Sequence, residues 1–213
     1  MPRSSSLLPR PTKGHVRVRV GAVGMSALGL EAAGLVEAVG PEAGGFAPGD
    51  RVVYRATAET SGLRLILPER DLLGFPKDVS LEAAASLLPL GMLARTVVKM
   101  QHPIGRGNVV FVTPDASGVD DFVRAWARDL GAIVVDDEKA AAVVISAADY
   151  EAAKRWRYGH GFAQQAAADV FQAVRRGVFD GISVTSYPLS DARTAKSRLD
   201  EGVTPIVLLP AAA

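Results

Sequence analysis

The chain has 213 residues, 48% of them hydrophobic and 22% charged, with 24 Lys and Arg against 23 Asp and Glu. That balance describes a globular chain with a real core and excludes a dedicated nucleic-acid or anionic-membrane binder. The absence of cysteine excludes disulfides, thiolate zinc sites, iron–sulfur clusters and a cysteine nucleophile, and His15, His102 and His160 are spaced too far apart for a helical ligand pair, so no metal is expected.

The opening "MPRSSSLLPRPTKG" carries Arg3, Arg10 and Lys13 and no acidic residue, a loose likeness to a transit peptide. Pro9 and Pro11 interrupt any amphipathic helix there, so residues 1–14 are expected to form a disordered tail and the protein to be cytoplasmic. From His15, "HVRVRV" alternates Val16, Val18 and Val20 with Arg17 and Arg19, the period of a half-buried strand whose arginines face solvent. "GLVEAVG", "RVVY" and "LRLIL" follow as short strands between glycine and proline turns, the texture of a small barrel.

At Ser80 the texture changes. "SLEAAASLLPLGMLARTVVKM" offers a serine N-cap and Glu82 in the first turn, with Pro89 and Gly91 expected to kink or divide the helix. No apolar run is expected to reach the ~20 residues of a membrane span. Next come a strand, "NVVFV", the turn "TPDASGVDD" and an amphipathic helix, "FVRAWARDLGA", followed by strands at "AIVVDD" and "AAVVIS". This is the pattern of a parallel α/β unit. Ala163, Ala166, Ala167, Val170, Phe171 and Val174 share one helical face. "ISVTSY" reads as a strand, "LSDARTAKSRLDEG" as a helix capped by Ser190 and stopped by Gly202, and "VTPIVLL" as a last strand that Pro205 should place at an edge or bulge.

In that order, "LGLEAAGLVEAVG", "FAPGDRVVY", "LPERDLLGFPKDVSLEAAASLLPLGMLA", "NVVFV" and "VFQAVRRGVFD…YPLSDARTAKSRLDEG…IVLLP" resemble the zinc-independent medium-chain dehydrogenase/reductase family. The likeness is to quinone oxidoreductases and to the enoylreductase domains of polyketide and fatty-acid synthases. It implies an α/β protein: a GroES-like β-barrel domain, residues 15–102 and 182–213, and a truncated Rossmann-type parallel α/β unit, residues 103–181. It also implies NADPH-dependent reduction of an activated C=C bond or a quinone in the cleft between the two.

The nucleotide turn departs from the family's AAxGGVG run, reading Asp115-Ala116-Ser117-Gly118-Val119-Asp120. Glycines there make a tight turn, let backbone N–H groups approach pyrophosphate, and pack helix on strand. Asp120 puts a carboxylate where an anionic ligand would complement the helix dipole. If a dinucleotide binds, Ser117, Gly118 and Val119 would hold it, and Asp136, eighteen residues after Gly118, would meet the adenine ribose. With Asp137 and Glu138 beside it, Asp136 favours NADH over NADPH. Met25 and Ser26 stand where the resemblance implies an asparagine, and no catalytic residue carries over.

Between Ser146 and Ala163 the further strands of a full-length reductase are missing, and with them the edge through which these proteins form homodimers, leaving the oligomeric state open. The leading expectation is a pseudo-reductase without cofactor: a scaffold or partner-binding domain, for a protein or an acyl-carrier-type substrate, in polyketide or fatty-acyl biosynthesis. Alternatives are an active NADH- or NADPH-dependent enoyl or quinone reductase, and a non-redox isomerase or cyclase using the inherited cleft. "KRWRYGH", Lys154 to His160, mixes cations with Trp156 and Tyr158, as a binding cluster or as a helix end stabilised by its cations. Ser117 lacks the GxSxG elbow of a hydrolase nucleophile.

Overall fold

The computed structural model describes residues 9–57, 63–155 and 160–211. The long first strand, β1 (His15–Ser26), organises the larger sheet. Its alternation buries Val16, Val18 and Val20 completely or nearly so. Arg17 and Arg19 face away, but they are not simply solvated: with Arg64 they converge on Glu37.

β2 (Gly29–Val39) returns antiparallel along one side of β1, and β3 (Arg51–Ala56) adds to β2. On the other side of β1, β4 (Arg64–Pro68) pairs with its first half. The last strand, β10 (Ile206–Leu209), pairs with its final residues. β5 (Leu73–Gly74) and β9 (Thr185–Pro188) end the path at opposite sides, in the order β5-β3-β2-β1-β10-β9. The expected barrel does not close and is an open sheet: β5 is only two residues long and, among the described strands, pairs with β3 alone. Nor does Pro205 mark an edge, because β10 lies between β1 and β9 and Pro205 precedes its first paired residue, where a missing N–H breaks no ladder.

Helix α1 (Leu81–Thr96) opens with Ser80 Oγ accepting from Ala83 N, as the sequence predicts. Pro89 does not divide it; the helix runs through and continues as a wider turn over Val97–Gln101. By length and composition Leu81–Gln101 could cross a membrane, contrary to the sequence-based expectation, but it is 72% buried inside the protein. It is apolar on all sides because it is packed on all sides.

The second sheet has three parallel strands in the order β7-β6-β8: β6 (Val109–Val112), β7 (Ile133–Val135) and β8 (Val143–Ile145). Helix α2 (Val119–Asp129) links β6 to β7 and packs Phe122 and Trp126 toward α1. Trp126 Nε1 donates to Gly91 O at 3.2 Å. Phe179 closes this corner, 5.1 Å from the Phe122 ring and 5.7 Å from that of Trp126.

After β8 comes α3 (Ala147–Lys154), whose cationic end at Lys154 the sequence offered as one reading and whose start is set by a capping box between Ser146 and Asp149. α4 (His160–Arg175) carries the expected apolar face, with Ala166, Ala167, Val170 and Phe171 buried. α5 (Ala192–Asp200) begins one residue later than expected: Ser190 lies in a short 3-10 turn and donates to Asp191, which takes the N-cap position.

Candidate functional site

Two places could do chemistry, and the first is the turn after β6. Gly118 adopts the left-handed conformation, φ 73°, and ends a tight turn in which its N–H donates to Asp115 O at 3.1 Å. Ser117 Oγ donates to the Asp115 carboxylate and accepts from Val119 N at 3.4 Å. Val119 is fully buried and belongs to the core. Asp136 is exposed, just after β7. The four sequence-predicted residues thus share the carboxyl edge of the parallel sheet, where such folds bind ligands.

The turn carries a carboxylate and that carboxylate's own counter-ion. Asp120, in the first turn of α2, is 7% exposed and paired with Arg124, whose Nη2 also donates to Val112 O at 2.6 Å. The first turn of α2 therefore carries its own anion, and Arg124 is engaged by it. The space beside Gly118 is also filled: a β-carbon there would stand 2.5 Å from Thr204 Cγ2.

Near this turn Tyr150 is 1% exposed and its hydroxyl has no hydrogen-bond partner. Burial first, then the Asp120 and Asp115 carboxylates, push its ionisation far above the ordinary range.

The second place is a cleft of about 350 Å³ between the larger sheet, α1 and α3. Ala33 and Val53 show which face of β2 and β3 turns toward α1, for both lie in the core cluster that α1 dominates. Glu31 and Arg55 fall two positions along the same strands, opposite each other in register, and line the cleft from that face. Pro89, Met92, Leu93 and Thr96 of α1 form the facing wall, and Lys154 of α3 reaches the rim. Burial raises Glu31 to about 7, against the opposing pull of the Arg55 charge.

Glu31 and Arg55 do not stand out in the sequence as site residues, and Lys154 does so only as part of the run "KRWRYGH". A signal was present: Glu31 is a lone carboxylate in "LGLEAAGL", a strand of small and apolar residues. Of "KRWRYGH", Lys154 and Arg155 are described, with Lys154 on Glu151 at 2.6 Å, whereas residues 156–159 and the His160 side chain lie outside the described residues. Among the described residues no cluster of acidic and histidine side chains could hold a metal.

Asp149 fixes the α3 wall. It accepts from Ser146 N at 2.8 Å and lies 2.8 Å from His102 Nε2, at the end of the α1 extension. Burial works against its ionisation, but the hydrogen bonds of His102 and Ser146 outweigh that and hold it below the ordinary carboxylate value. Asp149→Ala is expected to cost about 1–2 kcal/mol in urea unfolding at pH 7. A lowered carboxyl stabilises the fold above its unfolded pKa and ceases to do so as pH falls through the folded value, so the deficit should shrink in acid.

Comparison with known proteins agrees with this architecture. Residues 12–102 match the alcohol dehydrogenase GroES-like domain. A quinone oxidoreductase of Pseudomonas aeruginosa is 34% identical over 107 residues, 50% of this chain and 33% of that protein. A 2-haloacrylate reductase of Burkholderia sp is 30% identical over 149 residues, 59% of this chain and 45% of that protein. The chain thus matches less than half the length of either relative. The crystal structure of Escherichia coli quinone oxidoreductase complexed with NADPH superposes with a TM-score of 0.72 at 19% identity, covering 95% of this chain and 93% of that one, a likeness of fold. GroES-like sheet, parallel α/β unit and partial sequence similarity together liken this chain to the zinc-independent medium-chain dehydrogenases/reductases, with residues 12–102 matching their GroES-like domain.

Proposed function

We propose that the chain is a non-redox relative of these reductases, a binding domain for an acyl-type ligand or a protein partner. One observation carries the proposal: the first turn of α2 is occupied by the buried Asp120, paired with the half-buried Arg124, with Thr204 packed beside Gly118. A phosphate placed there would have to compete with the Asp120 carboxylate for the Arg124 guanidinium. The work of the protein then falls to its cleft and surfaces, in keeping with a role in polyketide or fatty-acyl biosynthesis.

A second reading, an NADH- or NADPH-dependent reductase of C=C bonds or quinones, is favoured by the similarity to quinone oxidoreductase and 2-haloacrylate reductase. Titration with NADH and NADPH, followed by cofactor fluorescence, separates the two. No binding at millimolar cofactor supports the non-redox reading, and micromolar binding of either sinks it. If only the charged turn stands in the way, Asp120→Gly with Ser117→Gly should bring binding into the micromolar range. If the double variant stays silent, the three-stranded sheet itself is too small to hold the cofactor.

A further inference from the structure

Glu31 has no hydrogen-bond or ion-pair partner among the described residues, although it lines an accessible cleft. A carboxyl group so placed is held in reserve: burial disfavours its charge, while the guanidinium across the strand pair keeps ionisation within reach. Arg55 is anchored on its own side by Nη2 donating to Leu28 O at 3.3 Å. Most of the remaining wall is apolar, with Thr96 and Lys154 as its polar members, and the volume suits a compact ligand of a few carbon atoms with room for water.

We infer that this cleft is an acid–base site for a small neutral ketone or enone, with Glu31 exchanging a proton at the carbon beside the carbonyl and Arg55 holding the oxygen. The Glu31 carboxylate takes the proton, the C–H electron pair becomes the C=C bond of an enolate, and the carbonyl π pair moves onto oxygen, facing the Arg55 cation. Returning the proton to the same carbon gives exchange; returning it at the far end of a conjugated system moves a double bond. Atoms and electrons balance without an oxidant, a reductant or a nicotinamide. Apolar walls with a carboxyl group poised near neutrality and a fixed cation are the arrangement proton abstraction beside a carbonyl requires.

The charged groups facing Glu31 are Arg55 from β3 and Lys154 from α3, the latter tied to Glu151. α1 offers no charge to the cleft, and the β1 residue opposite Glu31 is Gly24. The inference goes beyond the binding role proposed above and does not depend on it, because exchange needs no cofactor.

The test is deuterium incorporation. Full-length protein is incubated in deuterated buffer with 2-cyclohexen-1-one and, separately, cyclohexanone, with no nicotinamide present, and loss of the protons beside the carbonyl is followed by NMR. Exchange should exceed the buffer rate, rise with pH through about 7 and then level off as Glu31 ionises. Glu31→Gln should lower the protein-dependent rate by about a hundredfold or more, and Glu31→Asp should retain part of it.

Folding of the variant is checkable by sign. A raised carboxyl stabilises the fold below its unfolded pKa and ceases to do so as pH rises through about 7, so Glu31→Gln should match or exceed the wild type in stability above that pH. Exchange at the buffer rate with both ketones, or a rate unchanged in Glu31→Gln, overturns the inference. NADPH binding would defeat the non-redox proposal while leaving this result standing.

Discussion

Asp169→Ala should destabilise the protein by about 3 kcal/mol, seen as a lower urea midpoint and a Tm reduced by roughly 6–12 °C. Asp169 on α4 receives Arg95 Nε at 2.7 Å and Lys99 Nζ at 3.3 Å on one oxygen, and Gln165 Nε2 at 3.1 Å on the other. The Arg95 side chain is 9% exposed, and its Nη1 is already buried without a partner. Removing the carboxylate would leave a guanidinium in the interior with its charge uncompensated, which is why breaking such a pair costs more than forming it gains. The figure sits at the low end of the usual range because the Asp169 side chain is 19% exposed.

The sign with pH follows from the same contacts. Burial works against ionised Asp169, but the Arg95 hydrogen bond and the Lys99 and Arg95 charges prevail, so its pKa lies below the ordinary value. Its contribution is complete above the unfolded pKa of about 3.9 and is lost as pH falls through the folded value. Wild type and Asp169→Ala should therefore converge in acid, and Asp169→Asn should fall between them at pH 7. What the pair secures is α1, clamped between α4 on one side and the larger sheet on the other.

The strands were legible because their signal is local: Val16, Val18 and Val20 alternate, and α4 repeats its alanines and Phe171 on one face. α1 was legible in place but not in form. Pro89 is a helix breaker when the surroundings are water, yet a helix buried on all sides keeps its course because packing outweighs one missing hydrogen bond. The start of α3 escaped because its signature is a cap, Ser146 with Asp149, and not a stripe, whereas its cationic end at Lys154 was one of two open readings. The turn at Gly118 could be read residue by residue, including the charge of Asp120; that Arg124 neutralises it and Thr204 fills the neighbouring space depends on contacts four to eighty-six residues away. Glu31 and Arg55 belong to different strands, so the cleft exists only once β2 and β3 pair.

Gly24→Ala should cost about 3 kcal/mol and distort the cleft together with the fold. An added β-carbon would stand 1.9 Å from Ala85 O and 2.4 Å from Ala85 C, both backbone atoms that cannot rotate away. The contact is so close because of Pro89: lacking an N–H, it gives Ala85 O no donor from the next helical turn, and that carbonyl comes to rest against a strand residue with no side chain. Gly24 is also the β1 partner of Glu31, so a separation of strand and helix large enough to admit a methyl group would widen the space between Glu31 and the α1 wall. Loss of stability should then be accompanied by loss of Glu31-dependent proton exchange in whatever fraction remains folded. Gly44→Ala is the control, since nothing lies within 4 Å of its added carbon, and it should change stability by no more than about 0.5 kcal/mol. Equal stability of Gly24→Ala and Gly44→Ala would mean that sheet and helix can move apart freely, and a cleft built on their close contact could not hold Glu31 in a water-poor position.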